Sequence, residues 1–132
     1  MEFHAYSKRL FAQSGFDTTG YHRPDQDTVG DFYARLDCKR WGKHCLISYL
    51  TLDNGEKIFV VTWPRQNYCL FKEIPIGRII DIGFDMYFDD GKVFIYSVDY
   101  FEDGSPDQIN ADQMFFEAMG SAEVGNTRGT LS

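Results

Sequence analysis

The chain has 132 residues, with 20 acidic against 13 basic side chains, a net charge of -7, and an aromatic set of 12 Phe, 8 Tyr and 2 Trp. That length suits one domain, and an apolar fraction of 43% excludes wholesale disorder, which requires too little apolar surface to offset chain entropy. No run approaches the ~18 apolar residues of a membrane helix, and Met1-Glu2-Phe3-His4 begins no secretory signal, so a soluble cytoplasmic protein is expected.

From the N-terminus, Phe3, Tyr6, Leu10 and Phe11 recur at helical spacing until Ser14-Gly15 stops them, which predicts a short helix. Residues 15–26, with Gly15, Gly20 and Pro24, read as a connection. Val29, Phe32, Tyr33 and Leu36 then stand at i, i+3, i+4 and i+7, with Asp25 and Asp27 ahead of them and Lys39, Arg40 and Lys43 behind. This pattern predicts an amphipathic helix with charges that complement its dipole, weakened at its start by Gly30.

After residue 44 the period changes to two. Cys45 to Leu52 and Lys57 to Trp63 flank Asn54-Gly55, a favoured two-residue hairpin loop, which would set Leu50 opposite Phe59, Tyr49 opposite Val60 and Leu46 opposite Trp63. Pro64 ends that strand, Tyr68 to Lys72 suggest a short third one, and Ile76 to Phe84 suggest another that bends at a glycine. Asp90-Gly91 marks a second hairpin between residues 84–88 and 93–98, with Phe88 opposite Val93, Met86 opposite Ile95, Tyr87 opposite Phe94 and Asp85 opposite Tyr96. Beyond a polar turn at 102–107, a short helix is predicted from near Ser105 or Asp107, with Ile109, Met114, Phe115, Phe116 and Met119 as its apolar residues and Gly120 as its cap. Residues 121–132 are small and polar and read as a flexible C-terminal tail. The expected architecture is α+β: a single compact domain over residues 1–120 with an antiparallel sheet of about five strands built on two hairpins, an N-terminal helical part and a short C-terminal helix.

Cys38, Cys45 and Cys69 cannot all pair within one chain, which favours reduced thiols. Cys38, His44 and Cys45 supply metal-ligating atoms, but adjacent residues on a strand point to opposite faces, whereas structural zinc sites space their ligands around a turn. No metal or other cofactor is expected. Asp99-x-x-x-Asp103-Gly104-Ser105-x-Asp107 lacks the ligand spacing and terminal Glu of a calcium loop. Carboxylates abound, yet no phosphate-binding loop, nucleophile elbow, zinc-protease helix or dinucleotide fingerprint singles out a reacting pair.

Charge is the most informative feature, because it is unevenly spread. Residues 1–66 carry 8 acidic and 9 basic side chains, a net of +1, while residues 67–132 carry 12 and 4, a net of -8. Between Asp81 and Glu123 there are 11 carboxylates and one cation, Lys92. Like charges gathered on a hairpin repel one another, and such a face steers cationic partners toward it. The sequence therefore points to a small non-enzymatic protein that binds and neutralises a basic partner, such as a toxin or a nucleic-acid-handling enzyme, in the manner of an immunity protein or of an anti-defence inhibitor from a phage or mobile element. The contacts expected are Asp85, Tyr87, Asp89, Asp90, Tyr96, Asp99, Tyr100, Glu102 and Asp103: carboxylates to pair with Arg or Lys, tyrosines as rigid anchors. Two alternatives use other residues. One is a small enzyme or thiol/metal protein built on Cys38, His44 and Cys45; the other is a single-stranded nucleic-acid binder through Lys39, Arg40, Trp41 and Lys43, against the field of an acidic chain.

Overall fold

The structure is a computed structural model that describes residues 18–63 and 70–131, with Leu70 and residues 121–131 as backbone only. Its centre is one antiparallel sheet of five strands, β1 (Gly30–Trp41), β2 (Leu46–Leu52), β3 (Lys57–Thr62), β4 (Ile79–Met86) and β5 (Val93–Asp99), in the order β3-β2-β1-β4-β5. A helix, α1 (Pro106–Leu131), follows the last strand. No helix among the described residues is long and apolar enough to cross a membrane.

The segment expected to be an amphipathic helix after Val29 is instead β1, the longest strand and the centre of the sheet. Its residues 30–35 pair with β4 and its residues 34–41 pair with β2, so both halves of the sheet hang on it. The physical reason lies in a coincidence of periods. Phe32 and Leu36 fit a helical stripe, but they also stand two apart from Ala34, and Phe32, Ala34 and Leu36 turn together to the main core. Aromatic Phe32 and Tyr33 also suit a pleated strand, and the glycine at position 30 weakens a helix interior. Asp25, expected to cap that helix, caps only a single 3-10 turn, Gln26–Thr28, where its carboxylate accepts from the Asp27 N–H at 2.9 Å. The helix expected around Phe3 to Phe11 lies outside the described residues, so no N-terminal helical part is present among those described.

A shift in pairing between Leu36 and Cys38 leaves Asp37 as the extra residue of a bulge. The bulge resets the alternation, so odd-numbered Trp41 packs with even-numbered Ala34 and Leu36. The β2–β3 hairpin forms as expected, one residue out of the expected register: Leu50 opposes Ile58, and Tyr49 opposes Phe59. Its loop has three residues, because the Leu52 N–H bonds the Glu56 carbonyl at 2.8 Å while Gly55, at φ 88°, takes the extra position. The slip exchanges faces, and gathers Leu46, Leu50, Leu52, Ile58 and Val60 into the core.

The β4–β5 hairpin is shifted by two residues from expectation: Met86 opposes Val93 and Phe84 opposes Ile95. Up to Ile95 that shift keeps each side chain on its expected face; beyond it a bulge at Tyr96 reverses the alternation and sets Val98 opposite Ile82 and Asp99 opposite Asp81. Phe88, expected in the ladder, sits fully exposed in the turn. In place of the short strand predicted through Lys72, Leu70–Lys72 form a 3-10 turn, whose Phe71, with Ile74, is buried against the core.

The opposite face of the sheet carries α1. Ser105 caps it, its Oγ accepting from the Gln108 N–H at 3.1 Å, and Pro106 occupies the first turn where its missing N–H costs nothing. Ala111 and Phe115 are buried on Ile79, with Tyr33, Phe101 and Met119 around them. The buried stripe runs through Gln108, Ala111, Phe115 and Met119, so Ile109, Met114 and Phe116 point to solvent instead of the sheet. Gly120 does not end the helix, whose backbone continues to Leu131.

Candidate functional site

On β4 the residues alternate strictly: Ile80, Ile82 and Phe84 enter the main core, while Ile79, Asp81, Gly83 and Asp85 face the helix side. Ile79 is covered by α1; beyond it the strand presents carboxylates. Asp81 lies directly opposite Asp99 on β5, and Tyr33 of β1 flanks Asp81 on the other side. Asp31 of β1 lies opposite Gly83. These carboxylates act on one another: desolvation first, then the charges of Asp99, Asp31 and Asp53, push the Asp81 carboxyl above its ordinary value. Like charges set directly across a ladder destabilise it, so this arrangement works against the fold that holds it.

Gly83 lets the strands meet in a particular way. A Cβ there would stand 2.6 Å from Asp31 Oδ1 and 2.6 Å from the Tyr96 ring, so the absence of a side chain leaves room for Tyr96 to cross β4. Its hydroxyl donates to Asp31 Oδ1, and that bond, followed by desolvation and the charges of Asp31, Asp85 and Asp81, raises the phenol's pKa. A pairing shift between Gly83 and Phe84 leaves Tyr96 as the extra residue of β5, which aims its ring across the sheet. Nearer the hairpin tip, Tyr87 stacks on Phe94 with ring centroids 4.3 Å apart. Tyr87 and Tyr96 are each 51% exposed. The face is thus acidic and aromatic at once.

The nine expected partner contacts fall into three places. Asp85, Tyr96 and Asp99 lie on the sheet face itself. Tyr87, Asp89 and Asp90 lie at the hairpin tip, where Asp90 Oδ1 also accepts from the Lys92 N–H at 2.9 Å. Tyr100, Glu102 and Asp103 lie on the connection to α1, at the other end of β5. The seven residues of β5 span about 20 Å at ~3.4 Å per residue, beyond the ~8 Å screening length of physiological salt, so the two ends do not act as one charge cluster. Arg78 neutralises part of the far end: it stacks on Tyr100 at 5.4 Å, donates to the Phe101 carbonyl at 2.9 Å and lies 3.9 Å from Asp103. Sequence reasoning left Asp31 and Asp81 out of the contact set. Asp31 belongs to the half of the chain whose charge is balanced, and only strand pairing brings it to Asp81; Asp81 was visible as a carboxylate alternating with isoleucines.

The same face continues over β1 and β2 with a second, more enclosed network. Asp37, its side chain 7% exposed, accepts from Tyr21 Oη at 2.7 Å, from Arg35 Nε at 2.7 Å and from the Thr51 hydroxyl. Burial and the Asp37 carboxylate raise the Tyr21 phenol far above its ordinary value. Arg35 also lies over the Phe115 ring at 5.7 Å, which ties the network to α1. All three bonds to Asp37 are internal, and the one from Tyr21 fastens the segment before β1 onto the sheet.

Of the alternative sites, Lys39 and Trp41 share one face of β1 while Arg40 is exposed on the other, so these residues and Lys43 do not form one groove wall. Trp41 packs against the core, and Lys39 Nζ bonds the Lys72 carbonyl at 3.2 Å. Cys38 is buried, and desolvation raises its thiol above the ordinary range, away from the thiolate that nucleophilic or metal chemistry needs. Among the described residues no three His, Cys, Asp or Glu side chains converge on a position for a metal ion. A cleft of about 1210 Å³ opens between the two edges of the sheet, lined by Phe59, Val61 and Trp63 on one side and Met86, Val93 and Ile95 on the other, with Arg23 and Lys92 among its lining residues. No protein-family model, curated protein or solved structure matches the chain.

Proposed function

We propose that this protein is a non-enzymatic binding protein that covers a basic partner with the acidic, aromatic face of β1, β4 and β5. The partner class is a cationic toxin or a nucleic-acid-handling enzyme, neutralised as an immunity protein or an anti-defence inhibitor would do it. The observation that carries this reading is the Asp81–Asp99 pair set across a strand ladder beside Asp31, an arrangement that costs the fold stability. A cationic partner converts that repulsion into attraction on binding. The exposed Tyr87 and Tyr96 supply the flat, rigid area on which Arg and Lys side chains stack.

Affinity capture from the native cell, with the captured protein identified by mass spectrometry and its affinity then measured by titration, tests the reading. The partner is expected to be basic, to lose roughly tenfold or more in affinity between low and high salt, and to bind the Asp85→Lys/Asp99→Lys variant at least as weakly. Both positions are exposed, so charge reversal leaves the core intact. Binding that ignores ionic strength, or an undiminished complex with the double variant, overturns the reading.

A further inference from the structure

We infer that β5 takes up an extended basic segment of that partner as a sixth strand of the sheet, alternate residues of the segment facing the acidic surface on one side and the apolar cleft on the other. The inference rests on the acidic-face reading and adds to it the manner of binding. β5 ends the sheet, and among the described residues no strand pairs with its outer edge. The other edge is partly taken: His22 donates its N–H to the Lys57 carbonyl at 3.2 Å, and its own carbonyl accepts from the Phe59 N–H at 3.0 Å. An open edge is a template for a further strand, because its outward N–H and C=O groups have the spacing of the next ladder.

The two sides of β5 differ in chemistry, and the difference prescribes what the added strand must carry. On one side stand Phe94, Tyr96 and Asp99, with Asp81 and Asp85 behind them on β4. On the other, Val93 and Ile95 lead into the cleft toward Trp63. A strand has side chains on both faces with a period of two, so the matching segment alternates Lys or Arg with apolar residues. Arg23 and Lys92 line the cleft and repel a cationic set from that side, which fixes the orientation of the segment. The irregularity beside Tyr96 and the charge on Asp99 discourage indiscriminate edge pairing and select for a cationic strand. A second copy of this chain is a poorer occupant, since pairing β5 with β5 would set two acidic faces side by side.

The test uses the full chain and two synthetic peptides of identical composition, one alternating Lys and Val, the other with the lysines and valines in separate blocks. Titration at low salt is expected to show the alternating peptide binding roughly tenfold more tightly, because only that order satisfies both sides of an added strand. Hydrogen exchange read residue by residue is expected to slow at the amides of Val93–Asp99 and not at those of β3. Equal affinity for the two peptides, or no slowing along β5, overturns strand addition while leaving the acidic-face reading standing. Failure of both peptides to bind overturns the acidic-face reading and the inference with it. A self-association seen by sedimentation that slows β5 exchange without peptide assigns the edge to a second copy and likewise overturns the inference.

Discussion

Gly83 shows how one residue organises the candidate face. It is buried, it lies between Asp31 and Ser97 in the ladder, and the Tyr96 ring occupies the space a side chain would need. Gly83→Ala is therefore expected to displace Tyr96 from Asp31 while changing denaturant unfolding by no more than about 0.5 kcal/mol, because the atoms in its way are the ends of two exposed side chains that can swing aside. Asp81 yields a prediction in pH. The unfolded chain loses this proton near the ordinary value of 3.8, whereas the folded chain holds it to higher pH. Between those values the folded state binds more protons, so stability falls as pH rises through the window, and near neutrality the penalty is complete. Asp81→Asn, which cannot ionise, is expected to raise the melting midpoint at pH 7, within the ~0.2–1 kcal/mol of a cross-strand pair, and to give no gain below pH 3.8. A thermal melt series of the two proteins across that range checks it.

Elements were legible where a local signal had no competitor. Both hairpins were marked by Asn-Gly and Asp-Gly, and the C-terminal helix by Ser105-Pro106 ahead of an apolar run. Their registers were not, because the extra residue at Gly55 and the longer turn before Lys92 are decided by backbone hydrogen bonds that composition does not encode. β1 differs from the predicted helix because the window that sets Val29, Phe32, Tyr33 and Leu36 at helical spacing also sets Phe32, Ala34 and Leu36 two apart, and only the partners on either side choose between the two periods. In α1 the buried stripe includes Gln108 and Ala111, which a search for large apolar residues passes over. This face carries a paired prediction. Phe115→Ala is expected to cost about 3–5 kcal/mol, since the ring is fully buried between the helix and Ile79. Phe116→Ala, at a ring 54% exposed, is expected to stay within about 0.5 kcal/mol. Denaturant midpoints of the two variants measure the contrast.

For the whole molecule, the curled sheet divides labour between its faces: one buries the aliphatic core, the other carries α1 at one end and carboxylates at the other. Self-repulsion across that second face adds to a net charge of -7. The free protein is expected to become more stable as sodium chloride rises from low to physiological concentration, and Asp85→Asn/Asp99→Asn is expected to flatten that dependence. Melting midpoints against ionic strength test it, and a salt response unchanged in the double variant would locate the repulsion elsewhere.

By itself the sequence determined the charge asymmetry, the α+β class and the positions of the turns, since each follows from residue type and short-range spacing. Which carboxylates face one another was decided only by the tertiary structure. Asp31 and Asp81 are fifty residues apart in the chain and meet because β1 forms a strand and pairs with β4. Long-range pairing of that kind depends on what every neighbouring strand can bury, and no local window contains that information.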